Sequence, residues 1–175
     1  MDKLAVLRQY FGFPAFRAGQ QTLIDAVLSG RDALGVMPTG GGKSLCYELP
    51  ALLLPGMTLV VSPLISLMKD QVMALRNAGI PAGCINSSMS LDELRETYRD
   101  ARYGAYKLLY VAPERLLTDG FCSLAQELEI PLVAVDEAHC ISQWGQDFRP
   151  SYLKIVEFLQ RLPRRPAVAA FTATA

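Results

Sequence analysis

Apolar residues in this chain form short runs that alternate with longer amphipathic stretches. Several of the short runs are nearly unbroken in valine, leucine and alanine, as is typical of strands covered on both faces of a sheet. Strand-like runs lie at residues 33–37, 58–62, 82–85, 108–112, 132–136 and 168–172. Helical patterns lie between them at residues 43–53, 64–78, 90–103, 116–128 and 150–162. This alternation predicts an α/β fold around a mainly parallel sheet with right-handed crossovers.

Two helical patterns precede the first strand, near residues 3–11 and 20–29, with Pro14 between them. We therefore divide the chain into an N-terminal helical segment, residues 1–30, and a lobe built on the sheet, residues 31–175. Sheets of this kind bind ligands at the carboxyl ends of their strands. We expect the functional residues to follow the strands at that edge.

The loop after the first strand is the most specific sign of a ligand. Its residues are Met37, Pro38, Thr39, Gly40, Gly41, Gly42, Lys43 and Ser44. A glycine loop between a strand and a helix that opens with Lys-Ser is typical of a phosphate-binding loop. The glycines let backbone N–H groups point at an anion, and the helix N-terminus adds positive potential. Lys43 is expected to reach the β- and γ-phosphates of a nucleotide, and the Ser44 hydroxyl to ligate Mg²⁺. Met37 departs from the usual Gly or Ala, and a plain glycine turn is the alternative.

An acidic pair follows the fifth strand, where Leu132–Val135 leads into Asp136 and Glu137. We expect Asp136 to hold Mg²⁺ through its water shell and Glu137 to polarise the water that attacks the γ-phosphate. An ordinary acidic turn is the alternative. His139 is the only histidine of the chain. Its place just after the candidate base favours a coupling role over a structural one.

Composition excludes some classes of protein. The chain has 175 residues, 51% of them hydrophobic, with 17 basic and 17 acidic side chains. This balance argues against a protein that coats nucleic acid by bulk charge, but leaves room for a local basic groove. No apolar run suggests a membrane span or a secretory signal. The four scattered cysteines and one histidine make a zinc site improbable and favour a reducing compartment. We expect a cytoplasmic protein, on the nucleoid in a bacterium or in the nucleus of a eukaryote.

Longer segments carry a family resemblance. They are residues 61–71, 110–116, 140–150 and 171–175, taken with the loop at 37–44 and the string Asp136-Glu137-Ala138-His139. Together they resemble the RecQ family of superfamily 2 DNA helicases, of the DEAH-box type. The resemblance implies the first RecA-like lobe of a P-loop NTPase, with three layers. It also implies an ATP-dependent helicase that moves 3′ to 5′ along DNA in repair and recombination.

The resemblance implies roles at matching positions. Residues 11–20 resemble an adenine-recognition motif in which Gln20 pairs with the base edge while Phe13 and Arg17 sandwich its face. Read without the family, Phe11, Phe13 and Phe16 are core aromatics. Contacts to DNA or coupling to ATP are implied for Ser62, Pro63, Leu64, Pro113, Glu114, Arg115, Trp144, Phe148, Arg149, Thr172 and Thr174. One position departs from the family, which often has His where this chain has Gln146.

RecQ-like helicases also have a second RecA-like lobe that supplies an arginine finger to the ATP site, and zinc-binding and winged-helix domains. The chain ends before those segments. We therefore expect it to bind Mg-ATP, to hydrolyse ATP poorly and not to unwind DNA alone. The expected partners are ATP, single-stranded or junction DNA and the second lobe, with no membrane. A P-loop ATPase or kinase of another class, and a non-catalytic nucleotide-binding module, are the alternatives.

Overall fold

A six-stranded parallel sheet forms the centre of the molecule, in the order β1-β6-β5-β2-β4-β3. The computed structural model describes residues 2–38, 42–138 and 150–173. The strands are β1 (Ala33–Val36), β2 (Thr58–Val61), β3 (Ala82–Ile85), β4 (Leu108–Val111), β5 (Leu132–Val135) and β6 (Ala167–Thr172). Each strand coincides with one of the apolar runs, so the predicted α/β fold with a parallel sheet is confirmed.

Helices precede β1 and connect the strands that follow it. They are α1 (Lys3–Val6), extended by a π-helical turn (Leu7–Phe11), α2 (Gln20–Leu28), α3 (Leu45–Leu53), α4 (Ile65–Asn77), α5 (Leu91–Arg102), α6 (Asp119–Glu127) and α7 (Leu153–Arg161). Within the described ranges, 3-10 turns lie at Pro113–Arg115 and Pro150–Tyr152. The helix predicted from residue 116 begins at Asp119, because Thr118 is extended. None of the helices within the described ranges is long and apolar enough to cross a membrane.

Helices cover both faces of the sheet, which gives the predicted three layers. Side chains from α3 and α4 pack on one face, and side chains from α5, α6 and α7 pack on the other. Every residue of β2, β4 and β5 is buried as a result. The rings of Tyr47 in α3 and Phe171 in β6 lie 5.5 Å apart in the first of these layers. This packing holds the strand ends, and the residues that follow them, in fixed positions.

The N-terminal helices pack on the lobe rather than apart from it. Val6, Leu7 and Ile24 form a third apolar cluster with Leu45 and Leu49 of α3. Because α3 follows the glycine loop directly, this cluster ties the N-terminal segment to the candidate phosphate site. The division at residue 30 stays a prediction.

Candidate nucleotide-binding site

The parallel register brings distant parts of the chain to one edge of the sheet. Val61 of β2 is paired with both Val111 of β4 and Val135 of β5, so the residues after these strands are neighbours. The N–H of Asp136 donates to the Val61 carbonyl at 2.9 Å, one step beyond the strand. On the other side, the N–H of Met37 donates to the Thr172 carbonyl at 2.9 Å. The glycine loop and the acidic pair therefore meet at this edge.

Lys43 bridges the two acidic residues that the sequence singled out. Its Nζ lies 3.1 Å from Asp136 Oδ1 and 3.0 Å from Glu137 Oε1. Burial lowers the pKa of Lys43, but the charges and hydrogen bonds of Asp136 and Glu137 outweigh burial and raise it. The ammonium therefore stays charged at neutral pH, and it is a cation shared by two carboxylates.

Asp136 is almost completely buried, with 1% of its side chain exposed. Its Oδ1 accepts from Lys43 and from the N–H of Glu137 at 3.0 Å. Its Oδ2 is buried and has no hydrogen-bond partner among the described residues. A buried carboxylate oxygen without a donor is costly, so this atom could accept a hydrogen bond from the water shell of a cation.

The backbone after β5 bends at Glu137, which has an unusual conformation. Among described non-glycine residues, Glu137 alone has a positive φ, of 54°. Such a conformation is unfavourable by about 1–2 kcal/mol for an L-residue, and neighbouring contacts must maintain it. One of them is the hydroxyl of Tyr152, which donates to the Asp136 carbonyl at 2.8 Å. The sequence analysis missed Tyr152, because no local pattern links it to Asp136.

Gln20 is buried beside the glycine loop, with 3% of its surface exposed. Its Oε1 accepts from the N–H of Arg17 at 2.7 Å, and its Nε2 donates to the Gly42 carbonyl at 3.1 Å. Phe13 is 48% exposed, which does not fit the reading of it as a core aromatic. Phe11 and Phe16 do pack against the third apolar cluster.

One cavity joins these groups. It has a volume of about 480 Å³ and is lined at one end by Phe13, Arg17 and Gln20, and at the other by Lys43, Ser44, Asp136 and Glu137. A cavity of about 650 Å³ lies at the opposite edge of the sheet, near Glu129 and Arg164, and none of the predicted site residues lines it. The first cavity is therefore the candidate site.

Glu48 also lines this cavity, although the sequence analysis did not single it out. Burial raises the pKa of Glu48 to about 7, a hydrogen bond from Tyr110 lowers it, and the nearby charge of Asp136 raises it. A glutamate among the apolar residues of α3, one turn after Ser44, was the signal that could have found it.

The segments predicted to contact DNA lie at the same edge. Ser62–Leu64 follows β2, and Pro113–Arg115 follows the neighbouring strand β4. Leu64 and Glu114 are exposed, whereas Ser62 and Pro113 are buried. Within residues 2–38, 42–138 and 150–173, Ser62 Oγ and Arg115 Nε are buried without a hydrogen-bond partner. In the described part of the chain, this edge thus carries an exposed acid, Glu114, and buried polar atoms without partners, on the same side of the sheet as the candidate cavity.

Several predicted site residues lie outside the described residues. They are Thr39, Gly40, Gly41, His139, Trp144, Phe148, Arg149 and Thr174. Thr172 is described and is buried at the end of β6.

Residues 17–175 match the DEAD/DEAH box helicase family, and the chain belongs to that family. It is 52% identical over 172 residues to the ATP-dependent DNA helicase RecQ of Bacillus subtilis. The matched region covers 98% of this chain and 29% of that protein. It is 50% identical over 172 residues to RecQ of Haemophilus influenzae, covering 98% of this chain and 28% of that one. The resemblance to RecQ helicases is confirmed, and the chain spans less than a third of the length of these relatives.

Solved structures support the fold. A hypothetical ATP-dependent RNA helicase from Sulfolobus tokodaii superposes with a TM-score of 0.76 at 22% identity, over 98% of this chain and 50% of that one. The Mycobacterium smegmatis helicase Lhr, bound to ssDNA and AMP-PNP, gives a TM-score of 0.77 at 23% identity, over 100% of this chain and 26% of that one. At these identities, the comparison shows the shared fold.

Proposed function

We propose that this chain is the first motor lobe of an ATP-dependent DNA helicase. The parent protein would move 3′ to 5′ along single-stranded DNA and unwind duplexes in repair and recombination. The observation that carries the proposal is the shared cation Lys43, which joins the glycine loop to Asp136 and Glu137 in a cavity that also contains Gln20. The names of the relatives, which are ATP-dependent DNA helicases, support the choice of nucleotide and of nucleic acid.

The residues present fit Mg²⁺, which prefers oxygen ligands and keeps several of its waters. Ser44 would hold the ion with Asp136. In the described part of the chain, Ser44 makes no capping hydrogen bond through its side chain and Asp136 Oδ2 has no partner. When bound, the ion would supply positive charge that offsets the negative charge of the transferred phosphoryl group. Lys43 would exchange its carboxylate partners for phosphate oxygens. Glu137, released from Lys43, would then orient and deprotonate the attacking water.

DNA would cross the same edge of the sheet. Ser62–Leu64 and Pro113–Arg115 follow neighbouring strands there and would contact the DNA backbone. By the family resemblance, Trp144, Phe148 and Arg149 would stack on unpaired bases. Thr172, Thr174 and His139 would couple hydrolysis to strand movement, and the second lobe would supply the arginine finger.

Replacing Gln20 with Ala is expected to remove the preference for adenine. On nucleotide binding, the amide of Gln20 would leave the Arg17 N–H and the Gly42 carbonyl and hydrogen-bond the edge of the base. Adenine presents the matching donor and acceptor, and guanine does not. We expect ATP affinity to fall about tenfold, or about 1.4 kcal/mol, while GTP affinity stays unchanged. Competition of ATP and GTP against a fluorescent nucleotide measures both. Gln21→Ala, on the exposed side of α2, is the matched control, and an equal loss for ATP and GTP would contradict the role in base recognition.

The motor-lobe proposal is tested by steady-state ATP hydrolysis with and without single-stranded DNA. The 175-residue chain is compared with the same chain continued through its second lobe. We expect the chain alone to turn over slowly without responding to DNA. The longer protein should be stimulated by DNA and be faster by about 10³, the order of an arginine finger. Sustained DNA-stimulated hydrolysis by the 175-residue chain would refute the division of labour. No hydrolysis by either protein would favour a non-catalytic nucleotide-binding module.

A further inference from the structure

We propose that Glu48 is a further positioning residue of the magnesium subsite, where it would accept hydrogen bonds from the ion's water shell beside Asp136. This inference rests on the proposed function, because it assigns a residue to the ion of that same site. It adds a carboxylate from α3 to the two that follow β5. Glu48 belongs to none of the motifs that carry the family resemblance.

Glu48 has the required location. It lies one helical turn after Ser44, and its N–H donates to the Ser44 carbonyl at 2.9 Å. Residues four apart share one face of a helix. Glu48 is only 9% exposed, and it lines the same cavity as Lys43, Ser44 and Asp136. The carboxyl group thus belongs to the phosphate end of the cavity rather than to the adenine end.

The partners of Glu48 do not account for a buried acid. In the described part of the chain, one hydrogen bond reaches its carboxyl group, from the hydroxyl of Tyr110 to Oε1 at 3.3 Å. The nearby ammonium of Lys43 bonds Asp136 and Glu137 instead. Buried carboxylates in proteins are paired with a cation or coordinate a metal. A cation in the cavity would supply the positive charge that the Tyr110 hydroxyl does not.

A second observation shows that this wall of the cavity needs donors. Asp136 Oδ2 and Gln71 Oε1 are both buried, and neither has a hydrogen-bond partner among the residues that the structure describes. Both residues line the cavity with Glu48. The wall therefore presents acceptors from three separate elements, namely α3, α4 and the end of β5. The water molecules held by Mg²⁺ are strong donors and are retained when the ion binds a protein. A hydrated magnesium ion satisfies such a wall, whereas an anionic phosphate does not.

Glu48→Gln tests the inference, because it removes the charge and keeps the shape and an acceptor for Tyr110. Binding of a fluorescent ATP analogue to the 175-residue protein is followed during titration with Mg²⁺, and again in a chelator. We expect the Mg²⁺ midpoint to rise about tenfold, the order seen when a residue supporting metal ligands is removed. Affinity for the nucleotide in chelator should stay the same. Glu48→Asp, which retains the charge, should return the midpoint most of the way to that of the unchanged protein.

Glu96→Gln, on the exposed face of α5, is the matched control and should not move the midpoint. An unchanged midpoint in Glu48→Gln would overturn the inference and leave Glu48 as a neutral acid that bonds Tyr110. A rise of equal size in Glu48→Gln and Glu48→Asp would also overturn it, because shape and not charge would then decide. If the unchanged protein binds no nucleotide at any Mg²⁺ concentration, the proposed function itself fails. That result is distinct from a failure of Glu48 alone.

Discussion

Lys43→Met is expected to weaken ATP binding roughly a hundredfold and to destabilise the fold in the same step. Lys43 would lose its charged hydrogen bonds to phosphate, which together contribute about 3 kcal/mol, or roughly a hundredfold in affinity. The substitution also leaves Asp136, 1% exposed, without the cation 3.1 Å away. Breaking a buried ion pair from one side destabilises a protein by about 3–5 kcal/mol. Because Lys43 is itself 20% exposed, we expect the lower end of that range in urea unfolding.

The two effects of Lys43→Met can be separated with Asp136→Asn. The double variant lacks the unpaired charge at Asp136, so it should recover most of the lost stability while its ATP affinity stays reduced. Urea unfolding of the four proteins in the cycle measures the coupling, and nucleotide titration measures the binding. If Lys43→Met unfolds at the same urea concentration as the unchanged protein, the ion pair does not stabilise the fold. If it binds ATP normally, the loop is not the phosphate site.

Glu137→Gln is expected to lower ATP hydrolysis by about 10³, within the range for loss of a general base, while nucleotide affinity is retained. Glutamine can occupy the same bent backbone after β5 and can still hydrogen-bond Lys43, but it cannot accept the proton of the attacking water. Single-turnover hydrolysis by the protein that includes the second lobe measures the rate. Glu129→Gln, at the opposite edge of the sheet, is the control. A rate within threefold of the unchanged protein would show that another group is the base.

The architecture of the sheet could be predicted where it depends on local pattern. Runs such as Thr58–Val61 and Leu132–Val135 are strands because nearly every residue is apolar, and in the structure every one of them is buried. Helix starts were less accurate, since α6 begins at Asp119 after an extended Thr118. The order of the strands was beyond the sequence analysis. Nothing local indicates that β6 inserts between β1 and β5.

The candidate site could likewise be predicted where short motifs define it, and not where tertiary packing does. The glycine loop and the acidic pair were recognised from short strings, and a parallel sheet brings such strings to one edge. The positive φ of Glu137 and the bond from Tyr152 arise from tertiary packing, and no string of residues announces them. Glu48 was missed for a related reason. That no cation of the described residues pairs with it becomes visible only when Lys43 is seen to bond Asp136 and Glu137.

We expect ATP binding and DNA binding to be coupled within this lobe, and Trp144 allows a direct test. It is the only tryptophan of the chain, and it belongs to the loop that the resemblance assigns to sensing DNA. Single-stranded DNA is titrated against tryptophan fluorescence, with and without Mg-ATP, in the unchanged protein and in Lys43→Met. Coupling between two binding sites is reciprocal. If DNA changes the affinity for nucleotide, nucleotide must change the affinity for DNA by the same factor. We predict a DNA-dependent change whose midpoint shifts with Mg-ATP in the unchanged protein and not in Lys43→Met. If DNA causes no fluorescence response while ATP binding is intact, the two sites are not coupled in this lobe. The lobe would then bind nucleotide alone.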